Sequence, residues 1–199
     1  MDPTAATRPL LERRRVRDMR EVQRHAVRLF EEQGFDRVTV EQVAQSAGVS
    51  PVSVYRWFGA KEGLVLWDDY DPDLFAAIAD RLEGNAPLPA VRDAVIAELG
   101  RVYDADRDLV LARTKLIYAN ATLLGAALRD ARAMRTALAR LFAEAGRGGD
   151  GASRRALAEV AVSLLITAID AWQDDDGEVD LAEHVFAAFE AVRSASWTT

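Results

Sequence analysis

The chain has 199 residues, is 50% apolar and contains no cysteine, which excludes a disulfide framework and any thiolate metal site. Its net charge of −7 argues against a uniformly basic surface, yet the charge is uneven: residues 1–64 hold 11 Lys+Arg against 9 Asp+Glu, and residues 65–199 hold 14 against 23. A mildly basic head on an acidic body suits contact with a polyanion at one end only. The charged N-terminus does not read as a signal peptide, and the longest apolar run, near Val160–Ile169, falls short of the roughly 20 residues of a membrane helix.

Periodicity is helical throughout, which predicts an all-α fold of about nine helices. Arg13, Arg14, Arg15, Arg17 and Arg20 crowd the segment before the first helix. This basic N-terminal arm either follows a nucleic-acid backbone, enters a minor groove, or is a solvated tail. The first helix is expected from about Arg17 to Gln33, with Val22, Ala26, Leu29 and Phe30 on one face. Gly34 stops it, and Phe35 can fold back on its end. Thr39-Val-Glu-Gln42 is a capping box. Val43, Ala44 and Ala47 give that helix a buried side, and Gly48 then turns the chain. Ser50 suits an N-cap and Pro51 the first helical position. Val54, Trp57 and Phe58 can hold the next short helix against the rest. Two short helices about a glycine turn make a helix-turn-helix, whose second helix need only fill a major groove. Its exposed early positions are Pro51, Val52, Ser53 and Arg56. Arg56 suits guanine O6 and N7, and Val52 suits a thymine methyl. Trp57 has two readings: it packs on the fourth helix, or its indole N–H reaches a phosphate.

A fourth helix is expected from near Lys61 to near Gly84, kinked or interrupted at Asp71-Pro72. Residues 85–89 form a linker. Further helices are expected at about 90–104, 106–119, 122–145, 152–173 and 180–196. The chain thus reads as a head, residues 1–60, and a body, residues 61–199. Trp67, Phe75, Tyr103, Tyr118, Leu123, Leu165 and Trp172 are large groups on several helices. They either line a ligand pocket or are ordinary core. Apolar linings favour a lipophilic or aromatic ligand, and Arg113 and Lys115 suit an anionic group on it. Leu157, Val160, Ala161, Leu164, Ala168 and Ala171 form one apolar stripe, and Leu181, Val185, Phe189 and Val192 form another, with Ala182 and Phe186 beside it. Paired across a two-fold axis they would build a four-helix dimer interface; the alternative is burial of both within one chain. Residues 174–180, Asp-Asp-Asp-Gly-Glu-Val-Asp, are read as a solvated loop, because a calcium-loop register puts Trp172 at the first ligand position. No metal and no cofactor are expected. With no phosphate loop and two histidines, His25 and His184, nothing predicts an enzyme.

The stretch GFDRVTVEQVAQSAGVSPVSVYRWFGAKEGL resembles the DNA-binding signature of the tetracycline-repressor (TetR) family, over about residues 17–67. The resemblance implies an all-helical homodimer with a DNA-binding head and a ligand-binding, dimerising body. It implies a ligand-responsive transcriptional regulator of the bacterial cytoplasm, most often a repressor at a palindromic operator, in which effector binding moves the heads apart or out of register. Tyr55, Lys61 and Thr39 match family positions that contact phosphates. Val52 stands where the family often has glycine, and Ala60 where it often has a capping serine. The segment AIDAWQDDDGEVDLAEHVFAAFEAV resembles bodies of actinobacterial TetR-type regulators, some of which respond to acyl-CoA thioesters or other lipophilic molecules.

Overall fold

The computed structural model describes residues 3–67 and 71–194, with side chains described except at 3–13, 71–73 and 101–105. Among the described residues there are nine α-helices and no strand. The chain divides into two compact units, Met1–Asp69 with Lys115–Ala126 and Tyr70–Thr114 with Ala127–Thr199.

The first unit, the head, contains α1 (Pro3–Gln33), α2 (Val40–Ser46), α3 (Pro51–Phe58) and α4 (Gly63–Leu66). It also holds the adjoining ends of α6 (Pro87–Ala119) and α7 (Ala121–Glu144). Residues Arg13–Arg20 therefore belong to α1 instead of preceding it; arginine is a good helix former, and no Gly there stops the helix. Met19, Val22, Ala26 and Phe30 put one face of α1 into the core, opposite Val43 and Ala44 of α2 and Val54 and Phe58 of α3. Gly34 N–H donates to the Phe30 carbonyl at 2.9 Å. The turn it ends brings the Phe35 ring edge-on to Phe30, with centroids 5.0 Å apart. The head reaches past residue 60 because Leu64 and Val65 of α4 and Leu123 of α7 are fully buried in this same core. Each such burial contributes roughly 1.5–3 kcal/mol.

The second unit, the body, holds α5 (Asp71–Leu82), most of α6 and α7, α8 (Gly151–Asp174) and α9 (Leu181–Ser194). Pro72 lies in the first turn of α5, where proline starts a helix, so the expected 61–84 helix is two helices. No break occurs at residues 104–106, and α6 runs on through them. The Asp-Ala-Asp sequence there has neither Gly nor Pro, and aspartate opposes a helix only mildly. Asn120 does separate α6 from α7: its side-chain oxygen accepts from the backbone N–H of Thr122 at 3.0 Å and of Leu123 at 3.1 Å. Asp150 caps α8 by accepting from Ser153 N–H at 2.7 Å. This backbone bond, with one from the Ser153 hydroxyl, holds the Asp150 carboxyl below the ordinary aspartate range.

The body core joins Ile78 and Leu82 of α5, Val91 and Ala94 of α6, Phe142 of α7, and Ala161, Val162 and Trp172 of α8. Leu181, Val185 and Phe189 complete it, at 6%, 2% and 6% exposure. The α9 stripe expected at a dimer interface therefore faces its own chain, and these three residues are closed to a partner as they stand. By length and composition α8 is apolar enough to cross a membrane, a longer stretch than the sequence run suggested, and 28% of its most apolar window is buried within the chain.

Candidate nucleic-acid interface

The interface is built on α2, its turn and α3. Thr39 Oγ1 accepts from Gln42 N–H at 3.3 Å, and Gln42 Oε1 accepts from Thr39 N–H at 2.7 Å, which closes the capping box. Gly48, at φ +68, makes the left-handed turn that side chains rarely adopt. Val49 N–H then returns to the Ala44 carbonyl at 2.9 Å. Ser50 caps α3: its hydroxyl accepts from Ser53 N–H at 3.1 Å and lies 2.9 Å from the Ser53 hydroxyl. Pro51 follows in the first turn.

Burial sorts the residues of α3. Val54 and Phe58 anchor it at 1% and 8% exposure. Trp57 is half-buried against the head core, which favours the packing side of its two readings. Val52 is 73% exposed and Tyr55 48%, and Arg56 is exposed beside them. These three share one outer face, because four residues span one helical turn. The Arg56 guanidinium lies 6.0 Å from the Trp57 ring centroid.

The other basic residues expected at the interface also lie in the head. Lys61 donates its ammonium to the Phe35 carbonyl and sits 4.4 Å from the Phe35 ring centroid, tying the α3–α4 turn to the end of α1. Arg14 and Arg15 are exposed on α1, and Arg14 lies 3.9 Å from Asp18, an exposed pair worth little energetically. The sequence reading missed two supports. His25 Nδ1 lies 2.8 Å from Ser46 Oγ, joining α1 to α2. Gly63 lies so close to Phe58 that a Cβ would run into the Phe58 carbonyl. A lone histidine and a glycine carry no pattern that marks either role.

The seven expected ligand-lining residues do not share one unit. Trp67 packs edge-on against Phe58 at 5.8 Å, Leu123 is fully buried in the head core, and Tyr118 is 38% exposed. Phe75 and Leu165 are partly buried against the body core and Trp172 is fully buried in it. The side chain of Tyr103 lies outside the described residues. Arg113 is buried at 9% exposure and Lys115 is exposed. Among the described residues no group of three or more His, Asp or Glu side chains is placed to hold a metal ion. Leu157 and Leu164 are half-buried on α8, while Phe186, beside the expected α9 stripe, is 51% exposed.

A capped helix-turn-helix, held by its own core and presenting one side of α3 to solvent, defines a helix-turn-helix protein with a separate helical body. The profile of "Bacterial regulatory proteins, tetR family" matches residues 24–66, and that of the "MftR C-terminal domain" matches residues 85–196. The chain belongs to the TetR family of bacterial regulatory proteins. The HTH-type transcriptional regulator TcmR of Streptomyces glaucescens is 35% identical over 143 residues, which cover 68% of this chain. The match spans 63% of TcmR, so the chain covers less than two thirds of that relative's length. NalD, the secondary repressor of the MexAB-OprM multidrug efflux pump in Pseudomonas aeruginosa, superposes with a TM-score of 0.55 at 20% identity, over 88% of this chain and 94% of its own. Thermus thermophilus FadR, solved in complex with lauroyl-CoA, gives 0.55 at 20% identity over 91% and 96%. At such identities the two structures establish the fold.

Proposed function

We propose that the protein is a homodimeric transcriptional repressor of the bacterial cytoplasm. It holds a palindromic operator with its helix-turn-helix heads and releases it when a lipophilic or aromatic effector, acyl-CoA thioesters included, binds the body. The observation that carries this reading is the outer face of α3, where Val52, Tyr55 and Arg56 stand exposed while Val54 and Phe58 anchor the helix. A short anchored helix with one arginine on its free face suits the major groove. Arg56 reads a guanine edge there, and Tyr55 and Thr39 contact phosphates. Lys61 shares its three ammonium hydrogens between Phe35 and a phosphate. Arg14 and Arg15 add basic charge on α1.

The likeness in fold to FadR of T. thermophilus, which holds lauroyl-CoA, supports an effector with a long apolar chain. Phe75, Leu165 and Trp172 are the body groups offered to it, and Arg113 suits an anionic end. The dimer is supported by α8, of whose most apolar window 28% is buried in one chain. Leu157 and Leu164 on that helix are only half-buried, and contiguous apolar surface is seldom left to water. The interface assigned here uses the outer sides of α8 and α9, through Leu157, Leu164 and the exposed Phe186, in place of Leu181, Val185 and Phe189.

The test is fluorescence anisotropy of the full-length protein on duplexes it selects from a random pool, with lauroyl-CoA as the probe effector. Preferential binding of the selected duplex, reversed by micromolar lauroyl-CoA, is expected. Equal affinity for selected and scrambled duplexes would overturn the regulatory reading. Sequence-specific binding that lauroyl-CoA and a panel of aromatic compounds all leave unchanged would overturn the effector.

A further inference from the structure

We propose that each operator half-site carries a thymine whose 5-methyl group packs on Val52, within about two base pairs of the guanine that Arg56 reads. This deepens, and rests on, the DNA-binding reading above. Among the described residues Val52 is 73% exposed, more than Tyr55, Tyr118, Leu128, Val179 or Phe186, the other exposed large apolar side chains. It stands in the first turn of α3 on the face opposite the anchors Val54 and Phe58. A valine there lies outside the head's core and adds little to it. In a major groove the apolar group presented by base edges is the thymine methyl.

The rest of α3 narrows the choice. Its eight residues, PVSVYRWF, contain no Asn or Gln to pair with adenine and no Asp or Glu to accept from cytosine. The hydroxyls of Ser50 and Ser53 are occupied in the helix cap, 2.9 Å from each other and with Ser50 also accepting from Ser53 N–H. Lys61 is tied to Phe35. Arg56 makes no ion pair among the described residues, which leaves its guanidinium fork for a guanine edge. With Tyr55, on the same face, given to a phosphate, two base readers of different chemistry remain, one apolar and one cationic. Val52 and Arg56 are four residues apart, roughly 6 Å along the helix axis, or about two base-pair steps. The half-site is therefore specified at one T·A pair by a methyl group and at one G·C pair by a guanine edge, with its other base pairs left to DNA shape.

The experiment replaces thymine by deoxyuridine, which deletes the methyl group and keeps Watson–Crick pairing. The full-length protein first selects duplexes from a random pool. Anisotropy then compares each selected duplex with copies carrying deoxyuridine at one half-site thymine at a time, for the wild-type protein and for Val52→Ser. At one thymine position the wild type is expected to lose about fourfold in affinity per half-site, the scale of one buried methyl group. Val52→Ser is expected to bind the thymine and deoxyuridine duplexes equally, the coupling that marks a direct contact. If the selected sites bind specifically but no deoxyuridine copy weakens the wild type, this inference is overturned while the DNA-binding reading stands. A methyl effect that persists unchanged in Val52→Ser assigns the contact to another residue and also overturns it. Failure to select any duplex over scrambled DNA overturns the reading beneath it.

Discussion

Arg56 and Lys61 are five residues apart and differ in what already holds them. Arg56 is exposed on the free face of α3, so its removal takes nothing from the head's core. Arg56→Ala is expected to cost about 1–3 kcal/mol of operator binding and to relax preference at one base position, with the head's stability unchanged. Anisotropy on operator and scrambled duplexes checks this, and equal loss on both would remove Arg56 as a base reader. Lys61 combines a hydrogen bond to the Phe35 carbonyl with a cation–π contact to the Phe35 ring at 4.4 Å. Lys61→Ala should therefore act twice. It should lower head stability by about 1 kcal/mol, and weaken binding across all sequences with a salt slope smaller by about one. A variant with unchanged melting and a reduced slope would show that the Phe35 tie is energetically idle.

Helix ends and turns were the most legible part of the sequence, because their chemistry is local. Thr39, Gln42, Ser50 and Pro51 all do what their residue types predict, and Gly48 sits in the left-handed turn. What the sequence left open needed a neighbour to decide it. The break expected at residues 104–106 rested on two aspartates, too weak a signal to stop α6. The Leu181–Phe189 stripe announced a buried face, but periodicity does not say which chain buries it. The exposed Phe186, not that stripe, marks the free side of α9. Close approach is equally silent: Gly63 looks like any turn glycine until the Phe58 carbonyl is seen against it. Gly63→Ala should destabilise the head by at least about 2 kcal/mol, since backbone and not a flexible side chain must yield. Urea unfolding followed by circular dichroism tests it, and an unchanged midpoint would mean that the α3–α4 turn relaxes freely.

The α8–α9 turn carries a pH-dependent link. Burial pushes the Asp175 carboxyl up, but a hydrogen bond from His184 at 2.8 Å, aided by the Val179 and Gly177 backbone N–H groups, brings it below the ordinary aspartate range. A depressed carboxyl stabilises the fold above its unfolded value, about 3.9, and that contribution is lost as pH falls through the lower folded value. Asp175→Asn should therefore lower the melting temperature at pH 7, with the gap to wild type closing as pH falls below about 4. A gap independent of pH would assign the loss to packing.

At the scale of the whole molecule, the dimer and the operator depend on each other. The exposed Phe186 on α9, with the half-buried Leu157 and Leu164 on α8, would locate the surface a second copy covers. Phe186→Glu should leave the monomer folded, because the side chain is half in solvent, yet shift sedimentation toward the monomer and weaken palindrome binding. Val185→Asp, by contrast, places a charge at a position 2% exposed and should unfold the body outright. If Phe186→Glu sediments as a dimer and binds DNA normally, the interface lies elsewhere. If an effector releases the operator as proposed, the coupling is reciprocal: whatever factor the effector takes from DNA affinity, the operator takes from effector affinity. The most direct test of the central claim is an anisotropy titration of the full-length protein on its selected palindrome, the isolated half-site and a scrambled duplex at one salt concentration. Two protomers bound per palindrome, with affinity at least about a thousandfold above the scrambled duplex and a large loss on the half-site, are predicted. Equal affinity for all three duplexes would contradict the account.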